Sequence, residues 1–166
     1  MKKFGTLSFV MLVAASFFVL AAAPPAVAGD VTYSFTLTGP QSSTNASNHT
    51  ITLTGGGSFD PTAGTVVASG SFTTTNNSNG AVIHRGTWSA TAFTSFCSRG
   101  GPNPGVQGGV LVIIVTLFPN GGSPITGLAM TVNCLVGSGC SPGDEGVTLG
   151  DFTTIVRGRT LFHINE

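Results

Sequence analysis

Beyond Lys3 the chain has no lysine at all. Six basic and six acidic residues are spread over 166, so charged side chains make up only 7% of the sequence. So thin a charge excludes the basic footprint that binding to nucleic acid or to an anionic membrane surface requires. Cysteine is scarce and odd in number, at Cys97, Cys134 and Cys140, with no C-x-x-C spacing to suggest a zinc ribbon or a thioredoxin-type pair. Trp88 and Tyr33 are the sole examples of their kinds, and both fall at core-facing strand positions, which argues against a stacking platform for sugars. There is no G-x-S-x-G in a strand–turn–helix context and no D-x-D-x-D-G calcium loop. Long helical periodicity is absent beyond the first thirty residues.

What is present begins with an export signal. Lys2 and Lys3 precede an apolar stretch from Leu7 to about Ala23, Pro24 and Pro25 break it, and Ala26-Val27-Ala28 supplies small residues for cleavage. This pattern predicts a Sec signal peptide over 1–28, cut between Ala28 and Gly29, and a mature domain over 29–166. The mature 138 residues keep four arginines against six carboxylates, a net charge of −2. They are expected to stay soluble, in the extracellular space or the cell envelope, with no membrane insertion after cleavage.

The mature sequence reads as strands and turns. Val31, Tyr33, Phe35 and Leu37 alternate with Thr and Ser, and Ile51 and Leu53 continue the period of two. Asp60-Pro61-Thr62-Ala63-Gly64 is a hairpin turn: proline presets φ, and the aspartate can bond the backbone just downstream. Asn79-Gly80 is a second turn, Pro119 to Pro124 a third. Val110 to Phe118, VLVIIVTLF, is apolar at both parities and must lie within a sheet with both faces covered. Leu128, Met130, Val132 and Cys134 share an inner face, Val147 to Leu149 adds a short strand, and Thr153 to Ile164 forms the last. About eight strands joined by short turns predict a single all-β antiparallel domain, an up-and-down β-barrel ahead of a β-sandwich.

Candidate chemistry is sparse. His49, His84 and His163 show no paired metal-ligand spacing, and Asp144, Glu145 and Asp151 around a Gly-rich loop read as a solvated acidic turn, so neither a metal nor a cofactor is expected. The sequons at Asn45, Asn48 and Asn76 fall in or near turns. In a meander Cys97 and Cys134 would end next-but-one strands, roughly 9–10 Å apart, beyond the limit of about 7 Å between bridged Cα atoms. A Cys134–Cys140 disulfide is therefore expected, with Cys97–Cys140 as the alternative and Cys97 buried and free.

The densest ionisable cluster is at the end, VRGRTLFHINE. Alternation places Arg157, Arg159 and His163 on one face with Leu161, and Val156, Gly158, Thr160, Phe162 and Ile164 on the other. The apolar set is expected to pack inward, leaving a solvated polar face. The sharper alternative has Arg157, Arg159 and His163 lining a barrel lumen as a site for an anionic group. No catalytic residue stands out. The sequence thus predicts a secreted non-enzymatic binding or structural module. Its alternatives are strand-mediated self-association through the 110–118 run, and a barrel enzyme, an isomerase, cyclase or hydrolase, acting on a small apolar substrate.

Overall fold

The computed structural model describes residues 31–140 and 143–165. The expected signal peptide and its cleavage site lie outside these residues. The strands are β1 (Thr32–Thr44), β2 (His49–Asp60), β3 (Thr65–Asn76), β4 (Val82–Gly100), β5 (Val106–Pro119), β6 (Ile125–Cys134), β7 (Gly146–Leu149), β8 (Thr154–Arg157) and β9 (Thr160–Asn165). All nine belong to one antiparallel sheet, so the fold is all-β as the alternation predicts. From β1 to β7 each strand pairs with the next, a meander. The turns after Asp60, at Asn79-Gly80 and after Pro119 are those the sequence marks. Asp60 Oδ1 accepts the backbone N–H groups of Thr62 and Ala63, each at 2.8 Å, and Phe59 faces Val66 across the hairpin.

The sheet closes on itself through the last strands. β9 pairs with β1 along Thr32 to Leu37 and with β5 at Val106 and Gln107, which joins the two ends of the meander into a ring. β8 pairs with the other half of β1, at Ser42 to Thr44. β8 and β9 are therefore one descending path interrupted at Gly158 and Arg159. Below the interruption six strands make the ring, β1 to β5 with β9. Above it β6, β7 and β8 take the place of β9, and the ring widens to eight. β7 and β8 meet by close packing: a Cβ on Gly146 would come within 2.9 Å of Ile155 Cγ2 and 3.0 Å of Gly158 Cα. One isolated bridge, Leu149 to Phe152, ties β7 to the connection ahead of β8.

The interruption has its own support. The β1–β2 register shifts between Leu37 and Gln41, and Gln41 is fully buried there. Its side-chain amide behaves as a strand residue would. Oε1 accepts the Arg159 backbone N–H at 2.7 Å, and Nε2 donates to the Arg159 carbonyl at 2.8 Å. Buried backbone groups that lose a ladder partner need a substitute of this kind. Thr160 completes the joint, its N–H donating to Glu145 Oε1 and its hydroxyl to the Asn133 carbonyl.

Inside the ring, Phe35, Leu37, Ile51, Leu53, Phe59, Phe72, Trp88, Leu111, Ile113, Val115, Met130, Val132, Leu149 and Phe162 form the core. Trp88 Nε1 donates to the Thr54 carbonyl, which satisfies the one polar atom of that ring system. The 110–118 run lies in the middle of the sheet, paired with β4 along one edge and β6 along the other. Leu111, Ile113, Val115 and Leu117 are buried, while Val112 and Ile114 are half-covered and Phe118 is exposed.

Two expectations are corrected. The disulfide joins Cys97 to Cys140, with Cα atoms 6.1 Å apart, and the free cysteine is Cys134, fully buried. The cause is β4, whose register against β5 shifts at three places between Ala90 and Gly100. These irregularities turn Phe93 and Phe96 toward the core and Cys97 out of it. Cys97 then meets the loop after β6, which Ser138 N–H and Arg99 Nη2 hold against the end of β4 through bonds to the Arg99 and Cys140 carbonyls. Cys134 shares the inward parity of Met130 and Val132 and is buried in the core. Similarly, Val156 is 62% exposed and does not pack inward; the register shift between Ser42 and Ser43 gives the covered position to Ile155.

Candidate functional site

The ring is filled differently at its two ends. At the six-stranded end Tyr33, Phe35, Phe59, Phe93, Phe96 and Phe162 form one aromatic cluster, with Phe59 in contact with the other five at centroid distances of 4.8–6.4 Å. That end is plugged. At the eight-stranded end the side chains fail to meet, and a cavity of about 270 Å³ remains. Such a volume lies near the lower bound of small-molecule pockets.

The cavity is built by strand parity. On β2, His49 lies two residues before Ile51 and four before Leu53, so it shares their inward face. On β4, His84 has the parity of Trp88. β3 stands between them: Ile51 pairs with Thr74, and Thr74 with His84, so these three form one row across the wall. Ile51, Phe72, Leu117, Leu128 and Phe152 supply apolar floor and sides, Ile83 and Ile125 the rim, and His49, Thr74, His84 and Asp151 the polar groups. Ile83 and Ile125 are 37% and 44% exposed, so the apolar lining runs out onto the surface.

Asn45 organises the rim. Its Oδ1 accepts the backbone N–H of Ser47 and of His49, at 3.1 and 3.0 Å, and its Nδ2 donates to Asp151 Oδ2 at 3.0 Å. The turn before β2 is thereby fixed to the turn before β8, and the Asp151 carboxylate is held at the mouth. The turn is tight enough to put Asn48 at φ 60°, a conformation asparagine tolerates better than most residues. The three sequon asparagines lie at this end, Asn45 and Asn48 in the turn before β2 and Asn76 as the last residue of β3.

The residues singled out in the sequence are elsewhere. Arg157, Arg159 and His163 are exposed, and none lines the cavity. His163 sits at the plugged end between Ser34 and Val106, six residues along the path from Arg157, a span of up to roughly 20 Å. The three acids of the Gly-rich region serve separate places: the Asp144 carbonyl accepts Asn133 Nδ2, Glu145 accepts Thr160 N–H, and Asp151 stands at the mouth. Among the described residues, no three His, Cys, Asp or Glu side chains are placed to share a metal ion. The residues missed were His49 and His84. Their inward parity was legible; their meeting across an intervening strand required the register of two hairpins. No protein family, curated protein or solved structure matches the chain.

Proposed function

We propose that the protein is an exported, non-catalytic binding module that holds a small apolar ligand in the mouth of its sheet ring. The observation that carries this reading is the contrast between the ends: one filled by six aromatic rings, the other left hollow, lined by aliphatic and aromatic side chains and rimmed by a few polar groups. An apolar hollow with few convergent polar groups is the common form of a ligand site. Export is supported by the Lys2-Lys3, apolar, Ala-Val-Ala sequence at the start of the chain and by the Cys97–Cys140 disulfide, which suits an oxidising compartment. No helix among the described residues is long and apolar enough to cross a membrane. Self-association through the 110–118 run has less support, because both edges of that strand are already paired and offer no template.

The test is a neutral apolar dye, N-phenyl-1-naphthylamine, whose fluorescence rises on leaving water. The protein is expected to enhance it in a saturable way. Leu128→Trp fills the hollow from its side and Ile125→Trp blocks it from the rim; each is expected to abolish the enhancement. Absence of a saturable response, or an equal response from both folded variants, would overturn the reading.

A further inference from the structure

Resting on the cavity reading above, we infer that the ligand is a small apolar amine, bound as its ammonium ion. The mouth carries an asymmetric set of charges. Among the side chains that line it, Asp151 is the one carboxylate, and neither lysine nor arginine is present. Arg85 follows His84 directly, but alternation turns it to the outer face, where it is exposed. A single carboxylate at the lip of an apolar hollow complements a single cation at the end of an apolar body.

The carboxylate is also positioned. Asn45 Nδ2 holds Oδ2 at 3.0 Å, and a carboxylate can accept further bonds at its two oxygens. An ammonium group brings three donors and no acceptor, and the lining offers the Asp151 carboxylate and the Thr74 hydroxyl as acceptors. The Phe72 and Phe152 rings line the same space and add the attraction of an aromatic face for a cation. An anionic head group would face the Asp151 carboxylate with no lysine or arginine on the lining to offset it.

Three ligands that differ only in the head group separate the possibilities: n-hexylamine, 1-hexanol and hexanoate, titrated against the protein at pH 8 and low salt, read from the methyl resonances of Ile51 and Leu128. Hexylamine is expected to bind about three- to tenfold more tightly than hexanol, the combined scale of an exposed ion pair and a cation–aromatic contact. Hexanoate is expected to be the weakest. Asp151→Asn should remove the ion-pair share of the amine's advantage and leave hexanol unchanged, while Asp151→Glu, which keeps the charge, should retain most of it. Hexanoate equalling the amine, or an undiminished amine preference in Asp151→Asn, would overturn the inference. Equal binding of hexanol and hexylamine would overturn it while leaving the cavity reading intact; binding by none of the three would overturn both.

Discussion

The plugged end and the open end of the ring come from the same strands, and they differ in what the strands carry where they converge. Phe35, Phe59, Phe93, Phe96 and Phe162 meet where six strands enclose the interior. Ile51, Leu117, Leu128 and Phe152 face each other across eight strands and leave about 270 Å³ between them. A ring widens with the number of its strands, so large aromatic side chains close the narrow end, while mostly aliphatic ones fall short at the wide one. Aromatic packing is therefore concentrated at one end and open volume at the other.

Truncating one aromatic ring at each end tests this division, with the largest effect expected at the plug. Phe59 is 2% exposed and touches five other rings, so Phe59→Ala should cost about 4 kcal/mol, the usual range for a buried phenylalanine. Phe152 is half-buried and borders a space that is already empty. Phe152→Ala should cost no more than about 2 kcal/mol, with dye binding altered. Urea unfolding of both variants measures the difference. Equal losses would mean that the mouth is as firmly packed as the plug.

The strands and turns were legible in the sequence where alternation runs unbroken. β2 and β3 pair at twelve successive positions without a shift, and Asp60 and Asn79-Gly80 act in the turns as their chemistry predicts. Legibility failed where the backbone departs from a period of two. Nothing in Ala90 to Gly100 announces three register shifts, yet these decide which cysteine meets Cys140. The interruption at Gly158 and Arg159 was equally hidden, because its support, Gln41, lies 118 positions away along the chain. The candidate site depended on both kinds of information. The parity of His49 and His84 is local, but the width of the mouth is set by the fork between β8 and β9, which is not.

That fork is the boundary between the two ends, and Gln41 is its joint. Gln41→Ala would leave the Arg159 N–H without its side-chain partner and the Arg159 carbonyl with the Thr38 N–H alone. A loss of about 1–2 kcal/mol is expected, since an orphaned buried group costs on the order of 1 kcal/mol or more and the carbonyl loses a second bond with it. Gln41→Glu sharpens the point. A carboxylate can still accept from the Arg159 N–H but has no hydrogen for the Arg159 carbonyl, so it should destabilise as well, despite its similar shape. Thermal or urea unfolding reads both. A change below about 0.5 kcal/mol in Gln41→Ala would show that water replaces the amide without cost.

The smallest effect is expected from the side chains that looked most like a site. Arg159 takes part in the fork through its backbone, while its guanidinium is exposed. Arg157 is exposed on β8, opposite Ser42. Replacing both with serine leaves every Gln41 bond in place, because those bonds end on backbone atoms. Serine keeps a polar side chain on each strand and removes two long, solvated ones whose ordering contributes little. Arg157→Ser with Arg159→Ser should therefore shift stability by no more than about 1 kcal/mol, against the larger loss from Gln41→Ala at the same joint. His163, exposed near the plugged end, should react freely with diethyl pyrocarbonate in the folded protein. Dye binding at the mouth should be unchanged in the double variant, since neither arginine lines it. A loss well above 1 kcal/mol, or a His163 protected from the reagent, would give these side chains a structural or binding role that their exposure argues against.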